Sequence, residues 1–189
     1  MRIFVTVLIV LLIVVLAGLY ALYSGAYNMS ALKPHGALIE WMAGTLSDRS
    51  VRYHARGIAV PPLGSPQQIA NGFRHYQEMC VECHGAPGVL PGEIGLGLYP
   101  KPPDLHDAIG DWSPAQLYWI LANGFKDTGM PAFSPTHSTQ DLWAMTSFAL
   151  LLPKMTPVQY DSIKTANGGG MSHDDEQGEH EEMHHEGNY

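Results

Sequence analysis

The chain of 189 residues holds only two cysteines, Cys80 and Cys83. A structural zinc site draws on two cysteine pairs or on a cysteine pair with a distant histidine pair. One pair with His84 directly behind it does not supply such a site. A dithiol oxidoreductase sets its C-x-x-C at a strand-to-helix junction in a βαβ unit, and nothing near residue 80 reads as a strand. Basic residues are also scarce, with 10 Lys and Arg against 18 Asp and Glu and a formal net charge of −8. That balance recommends no nucleic-acid partner. No nucleophile, general base or open metal position stands out either, so no catalytic activity of the chain's own is expected.

Charge is missing from two particular stretches. Ile3 to Tyr23 carry none, and only Thr6 and Gly18 interrupt an otherwise apolar run of about 20 residues, the length that crosses a bilayer core as a helix. Residues 1–26 therefore read as a transmembrane signal-anchor. The apolar region of a cleaved signal peptide is shorter, about 7–15 residues, although Ser24-Gly25-Ala26 keeps a cleavage site open. Beyond Lys164 there is no Lys or Arg, while Asp174, Asp175, Glu176, Glu179, Glu181, Glu182 and Glu186 follow a Gly168-Gly169-Gly170 hinge. Without those seven acids the chain has 11 against 10 bases, so the part that folds is nearly neutral. Residues 166–189 have a composition that cannot bury a core and are expected to be a flexible, disordered, acidic and His-rich tail. His173, His180, His184, His185 and Met183 leave metal capture or docking to a basic partner open there, beside a merely solvated tail.

What is present is concentrated around Cys80-Val81-Glu82-Cys83-His84, a C-x-x-C-H motif for covalent haem attachment. Two thiols one short turn apart can each add across a haem vinyl group, which leaves His84 beneath the iron as proximal ligand. One covalent haem c is therefore expected.

Helix signals surround the motif. Ser65-Pro66-Gln67-Gln68 is a capping box with proline at the first helical position, and Ile69, Phe73, Tyr76 and Cys80 recur behind it on one face. Ser113-Pro114-Ala115-Gln116 repeats the signal ahead of Leu117, Ile120 and Leu121, with Asn123-Gly124 as a left-handed stop. Ser138-Thr139-Gln140-Asp141 opens a third helix carrying Leu142, Met145, Phe148, Ala149 and Leu152, with Pro153 ending it. Residues 65–165 thus read as a small all-α domain. Residues 27–64 read either as a tether partly packed on that domain or as an interfacial or docking helix with Trp41 at headgroup level.

Residues of about 65–155 resemble a class I monohaem cytochrome c of the bacterial type, related to the cytochrome subunits of cbb3 oxidases and periplasmic dehydrogenases. The resemblance rests on Gly72, Phe73 and Tyr76 in the first helix, Cys80 to Gly85, and Pro102-Pro103-Asp104-Leu105. Asn123-Gly124, Gly129-Met130-Pro131-Ala132-Phe133, and a last helix with Trp143 and Phe148 complete it. It implies an all-α class I cytochrome c fold in which the first and last helices cross closely at Gly72. It implies Met130 as the sixth iron ligand, with His106 and His137 as rivals and with Met79, Met145 and Met155 as core. The carbonyl of Pro103, with Pro91 as rival, would accept the His84 Nδ1 hydrogen bond. Leu105, Ile120 and Phe133 would wall the haem pocket. Tyr99 and Lys101 would reach a propionate or stay in a solvated loop, and Trp112 and Trp119 would pack on haem or on helix.

The function so implied is a membrane-anchored one-electron carrier. Its domain would sit on the periplasmic face of a bacterial cytoplasmic membrane, where c-type haem is attached, and exchange electrons with a respiratory complex or a periplasmic dehydrogenase. Two alternatives belong to other classes: a haem-based ligand binder or sensor with a weakly capped iron, and a metal-handling protein acting through its tail.

Overall fold

The computed structural model describes residues 1–167, and over that range the fold is helical with no strand; one isolated bridge joins Ala86 and Val89. The expected acidic, His-rich tail lies, from Gly168 onward, outside the described residues. Helix α1, Arg2–Tyr23, contains no buried residue and is the one described helix long and apolar enough to cross a membrane. After it come α2 (Ala37–His54), α3 (Pro66–Met79), α4 (Val81–His84), α5 (Glu93–Gly97), α6 (Leu105–Ala108), α7 (Pro114–Asn123), α8 (Thr139–Ala149) and α9 (Pro157–Ala166). Short 3-10 turns at Ile109–Asp111 and Leu152–Lys154 connect some of them.

Side-chain caps set where the domain helices begin. Ser113 and Ser138 each accept from the backbone N–H three residues on, and Gln116 and Asp141 return the bond to the cap backbone. Ser65 accepts from Gln68 N–H, but the Gln68 side chain turns away and accepts from Gly64 N–H at 2.9 Å. That box is half closed because the entering chain at Gly64 offers a competing donor. Gly124 ends α7 at φ 61, ψ −165, which has positive φ but is not the left-handed helical cap that Asn123-Gly124 suggested. The loop that follows forces this, since a Cβ on Gly124 would stand 2.6 Å from the carbonyl oxygen of Met130. Helix α9 is an element the sequence reading lacked, although Thr156-Pro157-Val158-Gln159 carries the same capping signature.

Helices α3 and α8 make the most extensive pairing in the structure. Gly72 permits it: a Cβ there would collide with the carbonyl of Ala144 and lie 2.7 Å from Phe148 Cβ. With the helices this close, Phe73 meets Phe148 edge-on at 5.4 Å and Tyr160 of α9 at 5.6 Å, while Tyr76 meets Phe148 at 5.3 Å. Such aromatic pairs contribute about 0.5–1.5 kcal/mol beyond their area. Asn71 on α3 also donates to Asp141 on α8 at 3.1 Å, which tethers the two helices at the end away from the haem motif.

The segment between α1 and α3 is not a bare linker. Helix α2 lays one face on the domain: Val51 is fully buried, and His54 stacks on Trp119 with ring centroids 5.7 Å apart. Arg52 lies over the Trp112 ring at 5.4 Å. Further on, Gly64 N–H donates to the buried Ser147 of α8 at 3.0 Å.

Candidate functional site

Helix α3 runs into Cys80, which serves at once as its C-cap and as the N-cap of α4. The backbone turns sharply at Gly85, with φ 67 and ψ −161, and the Tyr76 hydroxyl donates to the Gly85 carbonyl at 2.6 Å. Burial pushes the Tyr76 hydroxyl far above its ordinary pKa, so it stays a protonated donor. This bond fixes the exit from the C-x-x-C-H segment. On its other side Gly95 sits against the backbone of Glu82 and Cys83, where a Cβ would lie 2.7 Å from each carbonyl oxygen.

Cys80, Cys83 and His84 all face a predominantly apolar cavity of about 310 Å³. Its wall includes Leu105 and Ile109 on one side, Leu117, Ile120 and Leu121 of α7, and Phe133, Met130 and Met145. The two histidines that rivalled Met130 are elsewhere. His106 is exposed beside Asp107 at 3.2 Å, and His137 packs edge-on against Phe133 and against the buried His75. Met79 and Met145 are in the cavity wall as well, and Met155 is in the core. Of the two tryptophans, Trp112 lines the cavity and Trp119 packs on α2.

His84 is held by its Nδ1, 2.8 Å from the carbonyl oxygen of Pro103; Pro91 instead packs at Gly85. A carbonyl only accepts, so Nδ1 carries the proton and Nε2 keeps its lone pair. Burial lowers the His84 pKa, against the opposing pull of the Pro103 carbonyl and of Asp104, so the imidazole stays neutral and able to ligate. Burial pushes the Cys80 thiol up to about 12, with Cys83 as the second cause.

Met130 lies in a pinned loop. Phe125 N–H donates to the Met130 carbonyl at 3.2 Å, and Met130 N–H donates to Thr128 Oγ1 at 3.1 Å. The Thr128 hydroxyl in turn donates to the Phe125 carbonyl at 2.9 Å. Gly124 and Gly129 let the loop nest: Cβ atoms there would strike the Met130 carbonyl and the Leu98 side chain at 2.6 Å each. Sequence reasoning named Met130, with Gly129 and Pro131 as what holds its loop, but not Thr128 or Gly124. A Gly-x-x-x-Thr-Gly-Met-Pro string is suggestive only once the turn is known.

Two residues expected near a propionate divide. Lys101 is on the cavity wall. The Tyr99 hydroxyl is already engaged, donating to Glu40 of α2 at 2.7 Å and accepting from His35 N–H at 2.8 Å. Ser47 of α2 also lines the cavity, a contribution from outside the motif-bearing region that no local signal announces.

The resemblance implies haem c, and the residues fit it. The cavity is apolar, a neutral imidazole with an oriented ring faces it, a thioether stands on its wall, and two thiols lie at the same mouth. Residues 67–148 match the model of the family described as Cytochrome C oxidase, cbb3-type, subunit III. No curated protein matches the chain.

Proposed function

We propose, from the premise that residues 67–148 are a class I cytochrome c domain related to cbb3 oxidase subunits, a carrier of single electrons held at a membrane by α1. A cytochrome c domain of this kind is a haem-based electron carrier, and haem c supplies a one-electron iron couple when bound. The observation that carries the reading is the convergence of Cys80, Cys83, His84 and Met130 on one apolar cavity.

In this reading Cys80 and Cys83 would hold one haem through thioether bonds, and His84 and Met130 would ligate its iron. The Pro103 carbonyl keeps the His84 ring in one rotation and one tautomer and makes Nε2 a better donor. The Phe125–Met130 backbone hydrogen bond pins the loop that would present the thioether to the iron. Met79 ends α3 next to Cys80 and Met145 lies within α8, whereas Met130 stands in a loop, and it is Met130 that this reading assigns as the ligand. Leu105, Ile120 and Phe133 give the cavity apolar walls that would exclude water from a bound haem, and such burial together with methionine ligation would raise its potential.

Helix α1 has 22 residues, so at 1.5 Å per residue it extends about 33 Å, enough for a hydrocarbon core of about 30 Å. The haem domain then faces the periplasm, and its partners are redox proteins of a respiratory complex or a periplasmic dehydrogenase. The test is covalency. Protein made with a haem-maturation system should keep one haem per chain through a denaturing gel, and Cys80→Ala combined with Cys83→Ala should lose it. Haem that extracts from the unmodified protein into acidic solvent refutes the assignment.

A further inference from the structure

Helix α2 has two faces, and the haem domain uses only one. Glu40, Ser47, Val51 and His54 follow helical spacing along the inner face, where they meet Tyr99, the cavity, the core and Trp119 respectively. On the opposite face Leu38, Trp41, Met42, Leu46 and Tyr53 are between 56% and 72% exposed. An apolar strip of this size on a helix that has already found its protein partner is not core waiting to be packed.

We infer that this outer face of α2 rests on the lipid surface of the membrane that α1 spans, an inference that depends on α1 being the anchor. Three observations choose lipid as the occupant. Residues 24–36 connect the two helices, and about 13 residues reach at most about 45 Å, so α2 cannot leave the neighbourhood of the bilayer. The strip combines aliphatic side chains with Trp41 and Tyr53, amphipathic rings that prefer the headgroup boundary. Arg49 on its C-terminal half and Arg56 just beyond it, over the Tyr53 ring, are exposed and suited to anionic headgroups, while of the two acids on α2 Glu40 is taken by Tyr99 and only Asp48 is free of it.

The consequence is an orientation. Since Ser47 and the Arg52–Trp112 contact join the inner face to the cavity, a lipid-bound α2 turns that side of the haem pocket toward the bilayer and fixes it there. Helix α1 alone would hold the domain only through residues 24–34, ahead of the His35–Tyr99 contact.

The full-length protein is reconstituted into vesicles of phosphatidylcholine with phosphatidylglycerol, with a nitroxide on Met42→Cys or, in a second variant, on Leu38→Cys. Val158→Cys on α9, also exposed, is the control. Collision with oxygen and with a water-soluble nickel chelate is read by power saturation. At 42 and 38 oxygen should dominate, and at 158 nickel. Nickel dominating at all three sites places the strip in water and overturns the inference. Low access to both reagents at 42 and 38 means that protein, such as a second copy of the chain, covers the strip, and overturns it too. Flotation with the vesicles reads α1 separately: protein that floats yet shows water at 42 loses only this inference, whereas protein that does not float loses both.

Discussion

Replacing Gly72 by alanine tests the close crossing of α3 and α8 on which the site is built. In an unobstructed helix interior this substitution stabilises by about 1 kcal/mol, because alanine restricts the unfolded chain and favours helix. At Gly72 the new Cβ would overlap the Ala144 carbonyl oxygen and sit 2.7 Å from both the Ala144 carbonyl carbon and Phe148 Cβ. Two of these atoms are backbone, so no rotamer change relieves the clash and the helices must separate. Overpacking costs about 1–3 kcal/mol and sometimes more. Here it also loosens the Phe73, Tyr76 and Phe148 contacts. The net expectation is a loss of about 2 kcal/mol. Gly44 on α2 supplies the control, since a Cβ there meets nothing within 4 Å and the same change should be neutral or stabilising by up to about 1 kcal/mol. Urea unfolding of the full chain in detergent, followed by far-ultraviolet circular dichroism, should shift the midpoint down for Gly72→Ala and not for Gly44→Ala. A Gly72→Ala protein as stable as the unmodified one refutes the packing argument.

Met130→Leu should abolish the weak long-wavelength methionine–iron(III) band and lower the potential, whereas Met145→Leu, a volume-conserving change costing less than about 1.5 kcal/mol, should do neither; a band surviving in Met130→Leu assigns the ligand elsewhere. Gly124→Ala should weaken the same band without removing it, because its Cβ displaces the Met130 carbonyl. The Asp141 carboxyl is held down to about 2 by its hydrogen bonds from Ser138 and Asn71. Its depressed pKa contributes stability that is complete above the ordinary carboxylate value of about 3.9 and is lost as pH falls toward 2. Asp141→Asn should therefore flatten the acid limb of stability in that window, and an unchanged limb counts against the assignment. Exported protein lacking residues 1–26 should keep its visible spectrum, since α1 buries no residue, and should leave membranes in alkaline carbonate, which the full chain should resist; Tyr27 found as the natural N-terminus would contradict the anchor.

Local signals carried far. The Ser113 and Ser138 boxes act over three residues, and both helices begin where those residues stand. The half-open box at Ser65 shows the limit of such signals, because its missing bond goes to Gly64, which the fold holds in place through Ser147, 83 positions away in sequence. Helix α9 has a complete capping box but a weak apolar signal, for its apolar content is thin and only Tyr160 is buried.

The amino-acid sequence by itself determined the haem-attachment motif, the apolar span, the starts of α3, α7 and α8, and Met130 as a candidate ligand. Each is written in adjacent residues or in a helical repeat. Tertiary structure alone decided that Pro103 and not Pro91 faces His84, that Trp112 and not Trp119 lines the cavity, and that Gly124 cradles the Met130 carbonyl. It also decided that Ser47 of α2 joins the cavity wall and that Glu40 claims the Tyr99 hydroxyl from 59 positions away. The reason is range. Capping, periodicity and covalent spacing act over a few residues, whereas the membership of a cavity depends on how helices remote in sequence cross, and that angle is set by which side chains are small enough to let them approach.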